Sequence, residues 1–212
     1  MIVKKILKKN IIFKDKFHDQ ECYLFGNGAS LKKFDLKNFS DKKSIICGWM
    51  FLHKDFKFLN VISDIEMHPA IFFPFWKNPY TKSIEFNYVN YIFKKKERVL
   101  KSNYFITSLT NFLGLTKYKN INYVYHYGLK KFNKEFIDPL QKFSLMENSL
   151  YAMIGIASFM GFKKIYLVGM DYLLDSPVRG HFYENYETII SPKKNVSDNN
   201  KYFFDFFSKK IK

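Results

Sequence analysis

The stretch of sequence that decides the fold is ECYLFGNGASL, residues 21–31. Its first half is a short apolar run of the kind that forms a buried strand, and its second half carries two glycines that interrupt this pattern. Gly26 and Gly28 lack a Cβ, so the chain can turn sharply there and bring backbone N–H groups close to another molecule. The stretch predicts a first β-strand that runs into a phosphate-binding loop. A plain strand-to-helix turn would use the same glycines.

Further short apolar runs follow along the chain, as expected for the buried strands of a parallel sheet. The other predicted strands are residues 44–48, 58–64, 104–108, 121–126 and 164–171. Residues 150–160 form a continuous apolar helix pattern, with Asn148 or Ser149 as N-cap and Gly161 just beyond its end. This alternation predicts an α/β fold with a mainly parallel, Rossmann-like sheet flanked by helices.

Residues 69–98 interrupt the alternation. They contain the aromatic, proline-bearing run FFPFW at 72–76 and then apolar residues at helical spacing, which predicts a small aromatic lid or insertion. Residues 1–20 predict a short helix or an edge strand, and residues 202–207 predict a helix near the end. The length of 212 residues suits one packed domain, so residues 1–212 are expected to form a single α/β domain.

The composition limits the class of protein. Hydrophobic residues make up 47% of the chain and aromatic residues 20%, which excludes a disordered chain. The formal charge of +16 should attract polyanions or anionic lipid headgroups, although mutational drift in an AT-rich genome produces the same excess of lysine. Because the lysines are scattered through every segment, no specific nucleic-acid partner is predicted.

Cysteine content and hydropathy bear on the compartment. Cys22 and Cys47 both fall in predicted strands, where a free thiol behaves as a small hydrophobe. No apolar run approaches the ~18 residues of a membrane span, and the basic start lacks the features of a signal peptide. We expect a cytoplasmic protein with peripheral contact to the anionic face of the inner membrane, and a homo-oligomer is compatible with the sequence.

Two acidic residues end predicted strands. Asp64 and Asp171 occupy positions from which a carboxylate can face a ribose, a sugar hydroxyl or a metal, and capping of a loop or helix explains them equally well. The chain has no Asp-x-Asp pair and no His/Cys spacing typical of zinc. We therefore expect no metal site.

The run RGHFYENY, residues 179–186, lies just downstream of Asp171. An imidazole titrates near working pH, so His181 could act as a general base, while Tyr183 and Tyr186 could donate hydrogen bonds to a departing phosphate. A purely structural histidine is the alternative.

Three ordered blocks resemble a known family. The block GNGASL at 26–31 resembles the opening motif of the bacterial sialyltransferases of glycosyltransferase family 42 and of the related 6-hydroxymethylpterin diphosphokinase-like proteins of surface-polysaccharide loci. Residues 149–172 resemble the second block, a helix followed by GFKKIYLVGMD. The run HFYENY at 181–186 is similar to the third block of the diphosphokinase-like branch.

The resemblance implies a GT-A-like fold and transfer of a sugar, such as a nonulosonic acid, from a CMP-activated donor to a cell-surface glycan or lipid-linked acceptor. It implies no cofactor besides the donor. Among residues that match the motifs, Gly26, Asn27, Gly28 and Ser30 would hold the phosphate and ribose, Ser149 would lie near the nucleotide, His181 would be the base, and Tyr183 or Tyr186 would face the leaving phosphate.

Three positions depart from the family pattern and leave the donor open. Ala29 replaces a proline, Gly48 replaces an asparagine after the second strand, and Met146 replaces an arginine near Ser149. The first alternative is pyrophosphate transfer from ATP to a pterin alcohol, with Mg²⁺ held by the carboxylates at positions 64, 66 and 171. A second alternative is a basic, non-enzymatic module for nucleic acid or a membrane surface.

Overall fold

The computed structural model describes residues 2–68, 72, 104–126, 132–143, 145, 149–174, 178–183, 189–190 and 196–211. The strands are β1 Glu21–Phe25, β2 Lys43–Cys47, β3 Asn60–Glu66, β4 Tyr104–Ser108, β5 Ile121–Val124, β6 Lys164–Val168, β7 Val178–Arg179 and β8 Ile189–Ile190. The α-helices are α1 Ile2–Lys8, α2 Ser149–Phe159, α3 Asp171–Leu174 and α4 Val196–Lys210. Short 3₁₀ helices occupy several of the connections.

The central sheet has six strands in the order β5-β4-β3-β2-β1-β6, and every neighbouring pair is parallel. Helices flank it, so the predicted α/β, Rossmann-like fold is confirmed. The only register shift between these strands lies opposite residues 44 and 45 of β2, where β3 carries one additional residue. The strands β7 and β8 form a separate antiparallel ribbon.

The helix α2 covers one face of the sheet and is buried along almost its whole length. It packs against β1, β2 and β3 on one side and against α4 on the other. Tyr151 on α2 meets Phe203 on α4 with ring centroids 5.0 Å apart. A helix enclosed on both sides has no solvent-facing stripe, which explains why the sequence of α2 is apolar all round.

Among the residues that the structure describes, the other face of β1 and β2 is covered by short connections. Between β1 and β2 the chain forms 3₁₀ helices at Ala29–Lys33 and Leu36–Phe39, and between β2 and β3 at Met50–Leu52 and Phe56–Phe58. The apolar side chains of these turns pack on Phe25 and Ile46, which alternate with the residues that face α2.

Most predicted boundaries lie within two residues of the observed ones. The third strand begins at Asn60 instead of Phe58, because residues 56–58 close a 3₁₀ turn, and it continues to Glu66. Gly161 follows α2 with a φ of +84°, and the bonds from Gly161 N to Ser158 O and from Phe162 N to Ala157 O form a Schellman cap. The predicted lid, residues 69–98, lies outside the described residues except for Phe72.

Candidate functional site

The order of the strands selects one place at the carboxyl edge of the sheet. Successive strands from β1 to β5 are added on one side of β1, and β6 is added on its other side. In open α/β sheets, ligands bind at such a switch point because the loops after the two central strands diverge there. The glycine loop follows β1 and the run Gly169–Asp171 follows β6, so two of the predicted blocks meet at the switch point.

The glycine loop continues the pairing of β1 with β6 beyond the ends of the strands. Gly26 N donates to Val168 O at 2.9 Å, and Gly28 N donates to Gly169 O at 2.8 Å. These two N–H groups are therefore engaged within the protein. A ligand at this edge would have to be held by other groups of the loop.

The missing side chains of these glycines make room for the loop after β6. A Cβ on Gly26 would lie 2.5 Å from Gly169 O, and a Cβ on Gly28 would lie 2.4 Å from the Cγ of Asp171. Real Cβ atoms do not approach other atoms so closely. From the sequence, the glycines were predicted to let a phosphate come close to the backbone. The structure shows that they also let one loop pack closely on another.

Ser30 and Asp171 join the same two loops through side chains. The backbone N–H of Ser30 donates to Oδ2 of Asp171 at 2.8 Å, and the hydroxyl of Ser30 donates to Oδ1. Asp171 thus caps the 3₁₀ helix that begins at Ala29. The capping interpretation of Asp171 describes these contacts, and both donors of Ser30 point at the carboxylate.

Asn27 lies between the ends of β1 and β2. Its Nδ2 is 3.9 Å from the Sγ of Cys47 and would lie 2.3 Å from a Cβ on Gly48, whose φ is +58°. The side chain of Asn27 therefore fills the space beside Gly48. Its Oδ1 is buried and accepts no hydrogen bond from any part of the chain that the structure describes. A buried amide oxygen of this kind usually has a partner, such as a ligand or water.

His181 and Tyr183 lie beside the glycine loop. Phe182 N donates to Asn27 O at 3.0 Å, and His181 forms an antiparallel bridge with Gly28. The rings of His181 and Tyr183 stack with centroids 5.0 Å apart and planes 8° from parallel. The structure thus brings the third predicted block against the first. Tyr186 and Met146 lie outside the described residues.

Aromatic residues from the β2–β3 connection line the same place. The ring of Trp49 lies 6.5 Å from that of Tyr183, and the ring of His53 lies 5.3 Å from that of Phe182. Burial lowers the pKa of His53, opposed by Asp55 and by a hydrogen bond to the backbone of Leu31. The sequence predicted no functional role for Trp49 or His53, since neither stands in a motif.

The remaining predicted residues lie farther along the sheet, inside β3 and at the start of α2. Ser149 begins α2, and its Oγ accepts a hydrogen bond from Met67 N at 3.0 Å. Asp64 is fully buried inside β3, two residues before the strand ends, and pairs in register with Ile46 and Phe105. Ser149 and Asp64 are thus placed on the β3 side, apart from the contacts between Ser30 and Asp171.

A network of polar side chains connects the ends of β3 and β4. Asn111 Nδ2 donates to His68 O and to Thr107 Oγ1, both at 2.9 Å, and Thr107 Oγ1 donates to Glu66 O at 2.6 Å. Asn111 and Thr107 are fully buried. The sequence analysis missed this network, although the polar pair Thr107-Ser108 at the end of an apolar run was a usable signal.

The arrangement combines an imidazole, a phenol and a buried amide at the carboxyl edge of the sheet. Such a set can remove a proton from a hydroxyl and donate hydrogen bonds to an anion. Within the described ranges, no three His, Cys, Asp or Glu side chains come together as metal ligands, and no helix is long and apolar enough to span a membrane.

Comparison of the chain with protein-family models and with curated proteins gives no match.

Proposed function

We propose that this protein is a glycosyltransferase of sialyltransferase-like type, which transfers a sugar from a CMP-activated donor to a glycan or lipid-linked acceptor on the cytoplasmic side of the membrane. The observation that carries the proposal is the bridge between His181 and Gly28. It joins the only histidine of the three-block pattern to the glycine loop, at the edge where α/β sheets bind nucleotides.

The reaction needs a base for the acceptor and support for the leaving group. His181 takes the proton of the acceptor hydroxyl as its oxygen attacks the anomeric carbon of the donor. The bond from that carbon to the phosphate oxygen breaks, and CMP leaves with the electron pair. The phenol of Tyr183 donates a hydrogen bond to the departing phosphate, and Tyr186 is the second candidate for this role.

The donor would be held by groups that are not already used to join the loops. The amide of Asn27 offers a buried Oδ1 for a ribose hydroxyl or for the cytidine. Ser149 at the start of α2 would lie near the nucleotide. The loops themselves are fixed by Gly26, Gly28 and the pair Ser30–Asp171, so in this proposal those residues pre-organise the site.

The three positions that depart from the family pattern have different consequences for the proposal. Gly28 has φ −62° and ψ 154°, the conformation that a following proline requires, so Ala29 stands on a backbone compatible with the usual residue. An asparagine at position 48 would collide with Asn27. We propose that Asn27 takes over the polar role at this point, and Met146 leaves the choice of sugar open.

Direct measurement of CMP binding and donor turnover tests the proposal. Isothermal titration with CMP should show saturable binding, and incubation with CMP-sialic acid and related donors should release CMP. His181→Ala should reduce release at least about 100-fold with little change in CMP affinity, because a general base contributes 10²–10⁴-fold to rate.

His18→Ala is the matched control, since His18 is an exposed histidine that precedes β1 at the opposite end of the strand and pairs with Asp19. It should behave as wild type. Absence of both CMP binding and donor turnover would overturn the proposal. Binding of ATP that depends on Mg²⁺, with pyrophosphate transfer to a pterin alcohol, would replace it with the diphosphokinase alternative.

A further inference from the structure

The first described residues of the chain expose an unusual number of aliphatic side chains. We call residues 2–14 the N-terminal segment; it comprises α1, the 3₁₀ helix Lys9–Phe13 and Lys14. The exposed fractions are 76% for Ile2, 48% for Val3, 54% for Ile11 and 51% for Ile12. Single exposed apolar residues are ordinary, but a group within one short segment indicates a surface that meets something apolar.

The same segment is strongly basic. It contains five lysines and no acidic residue, and all five are exposed. The lysines are Lys4, Lys5, Lys8, Lys9 and Lys14. Two lysines outside this segment form ion pairs with acidic residues, Lys42 with Asp41 and Lys164 with Glu21. The N-terminal segment therefore presents aliphatic groups and positive charge together.

The inner face of the N-terminal segment packs on the rest of the protein, so its exposed side chains are not part of the core. Leu7 and Phe13 are buried. Asn10 is also buried, and its Nδ2 donates to Tyr123 O at 2.8 Å and to Pro139 O at 2.9 Å. The first bond attaches the segment to β5, an edge strand of the sheet, and the second attaches it to the chain beyond β5. The aliphatic residues are fixed on the outer side.

We propose that the N-terminal segment binds the surface of an anionic lipid bilayer. Lipid is the partner that takes both kinds of side chain at once: the aliphatic groups enter the boundary between headgroups and acyl chains, and the lysines meet the negative headgroups. A nucleic acid would use the lysines, but single strands are held by stacking on aromatic rings, and the exposed apolar residues here are aliphatic. This inference is independent of the proposed enzymatic function.

Sedimentation of the full chain with vesicles tests the proposal. Vesicles of phosphatidylcholine with phosphatidylglycerol should carry the protein into the pellet, and vesicles of phosphatidylcholine alone should carry much less. The triple variant Lys4→Glu/Lys5→Glu/Lys8→Glu should bind anionic vesicles at least about 10-fold more weakly, since each cation near such a surface contributes measurably. Ile11→Asn/Ile12→Asn should weaken binding while the charge is unchanged.

A charge-matched variant separates this surface from a general effect of positive charge. Lys32→Glu/Lys33→Glu/Lys37→Glu changes the net charge equally at exposed positions on the connection between β1 and β2. It should retain most of the binding. Equal loss in this variant, or wild-type binding by both N-terminal variants, would overturn the proposal. So would unchanged vesicle binding by the isoleucine variant together with tight, lysine-dependent binding to an oligonucleotide.

Circular dichroism of each variant checks that it folds. The substituted side chains point outward, so the thermal transition should stay close to that of wild type. Should the isoleucine variant fail to fold, the comparison of the two lysine variants decides the proposal alone.

Discussion

At the β1–β6 end of the carboxyl edge the loops are joined mainly through backbone atoms, with one added contact to the side chain of Asp171 from Ser30, whereas at the β3–β4 end they are joined through side chains. Gly26 and Gly28 donate from their backbone N–H groups to the last residue of β6 and to the residue after it. At the other end, Thr107 and Asn111 reach across to backbone carbonyls with hydroxyl and amide groups. An added side-chain atom should therefore destabilise the β1–β6 end, and the loss of a polar group should destabilise the β3–β4 end.

This difference indicates how the two ends serve a ligand. Backbone contacts between glycines fix the position of a loop without using the side chains of Asn27, His181 and Tyr183, which lie beside that loop. A side-chain network positions its strands at the expense of the polar groups that form it. We therefore expect the chemistry at the β1–β6 end and mainly positioning at the β3–β4 end.

Replacing Gly26 with alanine is the strongest test of the backbone-joined end. The new Cβ would lie 2.5 Å from Gly169 O and 3.1 Å from Gly169 C, which are backbone atoms that no rotamer change can move. Overpacking of this kind costs typically 1–3 kcal/mol and occasionally more, so we expect a loss of about 3 kcal/mol in the free energy of unfolding. Urea denaturation measures it.

Gly28→Ala provides the comparison for this prediction. Its Cβ would meet the side chain of Asp171, which can rotate, although rotation breaks the bonds to Ser30. The destabilisation should therefore be smaller than for Gly26→Ala. If Gly26→Ala unfolds at the urea concentration of wild type, the two loops are not packed as closely as described and the contrast between the two ends fails.

Replacing Asn111 with alanine tests the side-chain-joined end. The substitution removes the Asn111 amide that donates to His68 O and to the fully buried Thr107 Oγ1, which should cost about 2 kcal/mol. Urea denaturation again measures it. Asn38→Ala, at an exposed position, is the control and should change stability by less than about 0.5 kcal/mol. Equal effects of the two substitutions would mean that the network does not hold this end.

Much of the fold could be predicted because its signals are local. The runs at 21–25 and 104–108 coincide with β1 and β4, since short apolar segments with punctuating small residues have few other ways to be buried. The C-terminal cap of α2 at Gly161 was equally predictable, because a positive φ favours glycine. The order of the strands was not predicted, since it depends on contacts between segments far apart in the sequence.

The site was predictable only in part for the same reason. The glycines and His181 stand in recognisable runs, but the engagement of the glycine N–H groups by β6 depends on a neighbour more than 140 positions away. Asp64 was expected at a strand end and instead lies inside β3, because the strand continues to Glu66. Asn111 and His53 act through partners that no local pattern reveals.

The smallest expected effect concerns His53, which brings a titratable group to the backbone-joined end. Burial lowers its pKa, while Asp55, the backbone of Leu31 and Asp35 act in the opposite direction and Lys54 in the same one. Asp55 N–H donates to its Nδ1 at 3.2 Å, a bond that only the neutral ring can accept. The folded protein therefore resists protonation at this ring more than the unfolded chain does.

The sign of the pH dependence follows from that difference. Above the pKa of about 6.5 that His53 has in the unfolded chain, the ring is neutral in both states and its contribution to the free energy of unfolding is fully present. As the pH falls through that value, the unfolded chain binds the proton first and the free energy of unfolding decreases. In urea denaturation between about pH 8 and pH 5, His53→Gln should show a shallower decrease than wild type, whereas His18→Gln, at an exposed histidine, should follow wild type. Parallel curves for wild type and His53→Gln would contradict the prediction and would leave the β1–β6 end joined by groups that do not respond to pH in this range.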